Sequence, residues 1–79
     1  MTGLPEIDRF NDNATKLLIG GRMWAISYQT VVAYRGPNAP EGVRRDRNYS
    51  MTTAKHMGQM GVKDWRKVPD AEFEALASV

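Results

Sequence analysis

Cysteine is missing from all 79 residues. That removes both a disulfide framework and any thiolate metal site, and it fits a reducing compartment. Long apolar runs are missing too. The longest, Leu17-Leu18-Ile19 and Thr30-Val31-Val32-Ala33-Tyr34, fall far short of the roughly 20 residues that span a bilayer, and no charged-then-apolar leader opens the chain. The expectation is a soluble, cytoplasmic protein with no membrane partner. Histidine occurs once, as His56. A metal there would depend on scattered carboxylates, and general-base chemistry would need an orienting acid and a nucleophile, for which Ser27 and Ser50 are nominal candidates. A surface or helix-packing role is the preferred reading of His56. Gly20-Gly21 lacks the lysine and flanking glycines of a phosphate loop. No catalytic residue, metal or cofactor is therefore expected, and the chain reads as a non-enzyme.

What is present is a separation of charge. Between Gly42 and Val68 the bases Arg44, Arg45, Arg47, Lys55, Lys63, Arg66 and Lys67 face only Asp46 and Asp64. Outside that window the acids Glu6, Asp8, Asp12, Glu41, Asp70, Glu72 and Glu74 outnumber Arg9, Lys16, Arg22 and Arg35. A basic middle between acidic flanks suggests an electrostatically guided contact, although a mixed solvated surface gives the same count. The candidate partner-binding residues are Arg44, Arg45, Arg47, Lys55 and Lys67 on the basic side and Asp70, Glu72 and Glu74 on the acidic side. Tyr49 and Trp65 are the candidate aromatic contacts, with core or rim packing as the commoner role for such side chains.

Residues 1–13 carry widely spaced apolar positions and read as an N-terminal tail, leaving 14–79 as one domain. Thr15 to Tyr28 reads as a hairpin about Gly20-Gly21, with Leu17 opposite Trp24 and Thr15 opposite Ile26. In it, Met23, Ala25 and Ser27 share one face and Trp24, Ile26 and Tyr28 the other. A strand follows from Thr30 to Arg35. The segment 36–42, rich in proline and glycine, reads as a loop, and Val43 to Tyr49 as a charged edge strand. Ser50, Thr52 and Thr53 supply capping oxygens for a helix from Met51 to Met60 that Gly61 ends. Within it Gly58 suggests close packing on a strand, and Ala54, Met57 and Gly61, extended by Thr53 and Met60, suggest a core stripe. Val62 to Val68 reads as a connector, and Pro69-Asp70 opens a last helix over Ala71 to Ala77. The predicted class is α+β: an antiparallel meander of about four strands, with two short helices in the C-terminal half packed on one face. A core this small leaves little net stability, so monomer and homodimer both stay open.

From Met23 onward the chain resembles a family of short, uncharacterised bacteriophage and mobile-element proteins. The resemblance rests on Ser27-Tyr28-Gln29-Thr30, Val32-Ala33-Tyr34, Asn48-Tyr49-Ser50-Met51-Thr52-Thr53-Ala54-Lys55-His56 and Glu72-Phe73-Glu74. Ala54 stands where the pattern has Gly, and Tyr49 where it has Trp. The resemblance implies a fold and a phage context without a site. In size, charge split and lack of catalytic groups the chain is also similar to anti-CRISPR proteins. That implies a stoichiometric inhibitor of a bacterial protein complex, the type I CRISPR surveillance complex (Cascade), acting by blocking target-DNA binding. The second reading is a phage nucleic-acid-binding accessory or regulatory protein, with the basic residues on phosphates and Tyr49 or Trp65 stacked on a base. A self-assembling structural component is the third.

Overall fold

Gly20 and Gly21 take φ values of 57° and 82°, the two positive angles a primed two-residue turn requires. In the computed structural model, which describes residues 6–11 and 13–78, this turn joins β2 (Ala14–Ile19) to β3 (Arg22–Ser27). Leu17 stands opposite Trp24 and Thr15 opposite Ile26, as the alternation predicts. β4 (Thr30–Gly36) and β5 (Ala39–Arg45) extend the meander. Then come α1 (Met51–Met60), the short β6 (Arg66–Val68) and α2 (Asp70–Ala77).

The class is α+β, with six strands among the described residues rather than four. The two added strands lie where irregular chain was expected. Glu6–Asn11 forms β1, antiparallel to β2, inside the segment read as a tail; residues 1–5 and 12 of that segment lie outside the described residues. Arg66–Val68, read as connector, pairs parallel with β5, so α1 is the crossover of a β–α–β unit. The β5 strand also starts earlier than expected. Pro37 and Asn38 alone make the turn, and Ala39 pairs with Gly36. Gly42 inside the strand takes φ 84°, which relieves the barrier that its composition suggested.

The sheet runs in the order β1-β2-β3-β4-β5-β6, and the helices cover opposite faces of it, not one. Met23, Ala25, Val32 and Ala33 form one core with Met57, Met60 and Val62 around α1. Trp24, Tyr34, Ala39, Val43 and Val68 form the other with Phe73 of α2. Alternation on β3 is the cause, because it presents apolar side chains to both sides and each set needs its own cover.

Both helix ends follow their sequence signals. Ser50 Oγ accepts from the Thr53 N–H at 3.2 Å, and Gly61, at φ 75°, closes α1. Gly58, by contrast, is exposed, and a side chain there would meet nothing within 4 Å. It does not serve close packing; the sheet-facing positions are His56, Met57 and Met60. α2 is pinned at its far end, where Trp24 Nε1 donates to the Ala77 carbonyl at 3.0 Å. Asn38 adds a bridge there, accepting from Tyr34 Oη and donating to the Leu76 carbonyl.

Candidate functional site

The charged residues singled out in the sequence divide sharply once folded. Arg44 is buried and its guanidinium donates to the Lys63 carbonyl at 2.7 Å, with longer contacts to the carbonyls of Arg45 and Arg47. It holds the crossover chain against β5. Arg45 donates to the Val31 carbonyl at 2.7 Å, pairs with Asp70 and Glu74, and lies over the Phe73 ring. Arg47 donates through Nε to Asp70 Oδ2 at 2.7 Å, with a second, shorter contact from the same guanidinium. Of the basic middle, Arg45 and Arg47 thus bind the acidic flank, through Asp70 and Glu74. Lys55, Lys67 and Glu72 are the candidates left exposed with no ion pair among the described residues.

The electrostatics follow the geometry. Hydrogen bonding from Arg47 holds the Asp70 carboxyl below its ordinary value, and the same bond raises Arg47. Burial pushes the Tyr49 phenol up. Its hydroxyl is buried without a partner among the described residues, and the ring packs on the α1 core beside the Arg44 guanidinium. Trp65 packs on the same core, covers Gly42 and carries Arg35 over its ring. Both aromatics serve the fold in these positions.

A different cluster forms where two of the sequence segments meet. Ser27 ends β3 and His56 sits in the middle of α1, yet Ser27 Oγ and His56 Nδ1 are 2.8 Å apart and buried. Thr53 Oγ1 lies 3.4 Å from the same Ser27 oxygen and 3.3 Å from the capping hydroxyl of Ser50. Next to Ser27, Tyr28 packs its ring on the imidazole with centroids 5.4 Å apart. Tyr28 has a φ of 57°, the one positive value among described residues other than glycine, and its N–H donates to the Asn13 carbonyl at 2.7 Å. A tyrosine in the left-handed region is unusual and costs on the order of 1 kcal/mol, which the surrounding contacts must offset.

Around this cluster the surface opens into a recess of about 410 Å³ lined by Met51, Thr52, Lys55, His56 and Gln59. Met51 is 89% exposed and Tyr28 53%. A Ser–His contact at this distance has the form of a nucleophile and base. Ser27, however, is 2% exposed, so a reacting carbonyl has no approach to Oγ. Among the described residues no group of three His, Cys, Asp or Glu side chains converges to hold a metal. What the arrangement can do is present Tyr28 against the buried imidazole, and Met51 and Lys55 at the recess that His56 also lines.

From the sequence, Ser27 is only a nominal partner of His56, on a par with Ser50. The signal was there, in the Ser-Tyr-x-Thr and Lys-His segments, but nothing in their spacing says that residues 29 apart will touch.

A family model, "Family of unknown function (DUF8033)", matches residues 6–75. The chain belongs to this family. The match runs from the first residue of β1 into α2, so the edge strand and both halves of the Ser27–His56 cluster fall within the DUF8033 unit. No curated protein and no solved structure matches the chain. Among the described residues no helix is long and apolar enough to cross a membrane.

Proposed function

We propose that this protein acts by binding rather than turnover, as a stoichiometric inhibitor of a bacterial defence complex. The target class is the type I CRISPR surveillance complex (Cascade), and the inhibited step is its binding of target DNA. The target comes from the phage-protein resemblance; the contact surface comes from the fold. One observation supports the binding reading above the others. Tyr28 is an exposed aromatic fixed in a strained backbone and backed by the buried Ser27–His56 bond, and the same His56 lines the recess that holds Met51 and Lys55. Aromatic anchors that lose little freedom on binding dominate protein interfaces.

This moves the expected contact away from Arg44 and Arg45, whose guanidinium groups are engaged inside the fold, and from Arg47, which is paired with Asp70 at the surface. Charge reversal at Arg44 or Arg45 would break bonds that hold the fold together and so confound a partner readout. The informative variant is Tyr28→Ala with Met51→Glu. The experiment is co-purification with a type I surveillance complex, followed by a target-DNA shift assay at increasing molar ratio. Inhibition saturating near one inhibitor per site, and lost in the double variant, supports the reading. Undisturbed DNA binding at large excess of the folded protein sinks it.

The nucleic-acid alternative keeps one supporting observation. Lys63, Arg66 and Lys67 are exposed on and before β6, next to the half-buried Trp65. It requires salt-sensitive binding of DNA or RNA by the isolated protein.

A further inference from the structure

Among the described residues β1 is the edge of the sheet and pairs on one side only, with β2. Its outer row of backbone N–H and C=O groups is a template for another strand. The neighbouring sheet face is also only half covered. Ile7, Leu17, Trp24, Tyr34 and Val43 stand opposite one another in a single row across five strands. α2 covers the Val43 to Trp24 end of that row. Beyond it Leu17 is half-buried, Ile7 is 62% exposed and Ile19, on the same face, is exposed. An apolar row therefore emerges from beneath α2 and ends uncovered at the edge.

Charge decides what can occupy this edge. Opposed residues of antiparallel strands share a face, so two copies of β1 related by a two-fold axis must pair residues of equal parity. Centred on Ile7, that pairing sets Glu6 against Asp8. Centred on Glu6, Asp8 or Arg9, it sets each against itself. Every register in the regular part of the strand opposes like charges. On the other hand, Glu6 and Asp8 lie on one face, without an ion pair among the described residues. Lys16, opposite Asp8, is drawn over the Phe10 ring. Ile7 lies between them on the opposite face.

We infer that β1 docks an extended segment of another protein whose side chains alternate basic and apolar. The basic positions face Glu6 and Asp8, and the apolar position continues the Ile7–Leu17 row. The backbone pairing supplies affinity and the alternation supplies selectivity, as in other strand additions. This edge is separate from the Tyr28–Met51 surface, and the inference stands whether or not that surface binds a defence complex.

The test uses the purified full chain and fluorescein-labelled peptides of about six residues alternating Val with Lys or Val with Glu, read by anisotropy at low salt. The Val/Lys peptide is expected to bind about tenfold more tightly than Val/Glu, the size that two facing charge pairs supply. Methylating the peptide nitrogens that face β1 should abolish binding. E6K/D8K should reverse the preference; if that variant does not fold, E6Q/D8N should erase it. Equal binding of both peptides, or retained binding after methylation, overturns the inference. So does a dimer of the free chain in light scattering that blocks peptide uptake, because the edge then belongs to a second copy.

Discussion

Arg47, just past the end of β5, donates through Nε to Asp70 Oδ2 at 2.7 Å, tying the chain that leaves the sheet to the first residue of α2. Arg45 joins from the strand itself, 3.5 Å from the other carboxylate oxygen. Arg45 and Arg47 from the basic middle and Asp70 and Glu74 from the acidic flank thus help to close the fold. Asp70 also lies in the first turn of α2, where the helix dipole favours an anion.

The pH dependence follows from the sign of the shift. Asp70 is held below its unfolded value, near 3.9, by Arg47 first and then by Arg45. Its contribution is therefore complete above the unfolded value and is lost as pH falls through the lower, folded one. Urea melts at pH 7 and at successive values below 4 should show a loss of stability for the parent chain. Asp70→Asn should be less stable at pH 7 and should have a flatter profile below 4. Parallel profiles would mean that Asp70 is not the linked group.

Much of the fold was legible, and what was missed has physical causes. Turns that depend on glycine φ, the caps of α1 and the register of the β2–β3 hairpin are local, and they were read correctly. β1 was missed because Glu6, Ile7, Asp8 and Arg9 give one apolar residue among charges, which is what an exposed edge looks like. β6 is three residues long and exists only because α1 returns the chain to β5. The two-sided core was visible in Trp24 and Met23 but was read as one face. At the candidate site, Tyr28 and His56 were noticed singly; their contact depends on tertiary structure, and propensity is silent about it.

Gly58 and Gly42 should respond oppositely to alanine. Gly58 is exposed mid-helix with open space where a Cβ would go, so Gly58→Ala should stabilise by about 0.5–1 kcal/mol. Gly42 has φ 84°, and its Cβ would lie 2.6 Å from Trp65 Cε3. Gly42→Ala should cost about 1–2 kcal/mol from the backbone alone, and more from displacing the indole. Thermal melts of the two variants, with Trp fluorescence for the second, give the comparison. Equal melting temperatures would contradict both assignments.

Ser27→Ala removes the partner of a buried imidazole nitrogen while leaving the backbone untouched. A buried polar group left unpaired costs about 1–3 kcal/mol. Ser50→Ala, at the helix cap, should cost about 1 kcal/mol. The first variant should also loosen Tyr28, seen as sharper, more averaged ring resonances in NMR spectra, because the imidazole behind it is no longer fixed. The second should not. If Ser27→Ala matches the parent in stability and in the Tyr28 signals, the bond has no positioning role.

Tyr28→Gly separates the fold from the proposed activity. The left-handed backbone that tyrosine tolerates at a cost of on the order of 1 kcal/mol is free to glycine. The change also removes the ring contact with His56, worth about 0.5–1.5 kcal/mol for such pairs. The two effects oppose, so the melting temperature should stay within a few degrees of the parent. Binding to the proposed defence-complex target should nevertheless fall sharply if the exposed ring anchors that contact. A tyrosine present only to hold the turn gives the opposite outcome: unaltered binding by a protein of similar stability. Measuring both quantities on one preparation distinguishes a residue kept for recognition from one kept for folding, and the strained backbone at Tyr28 favours recognition.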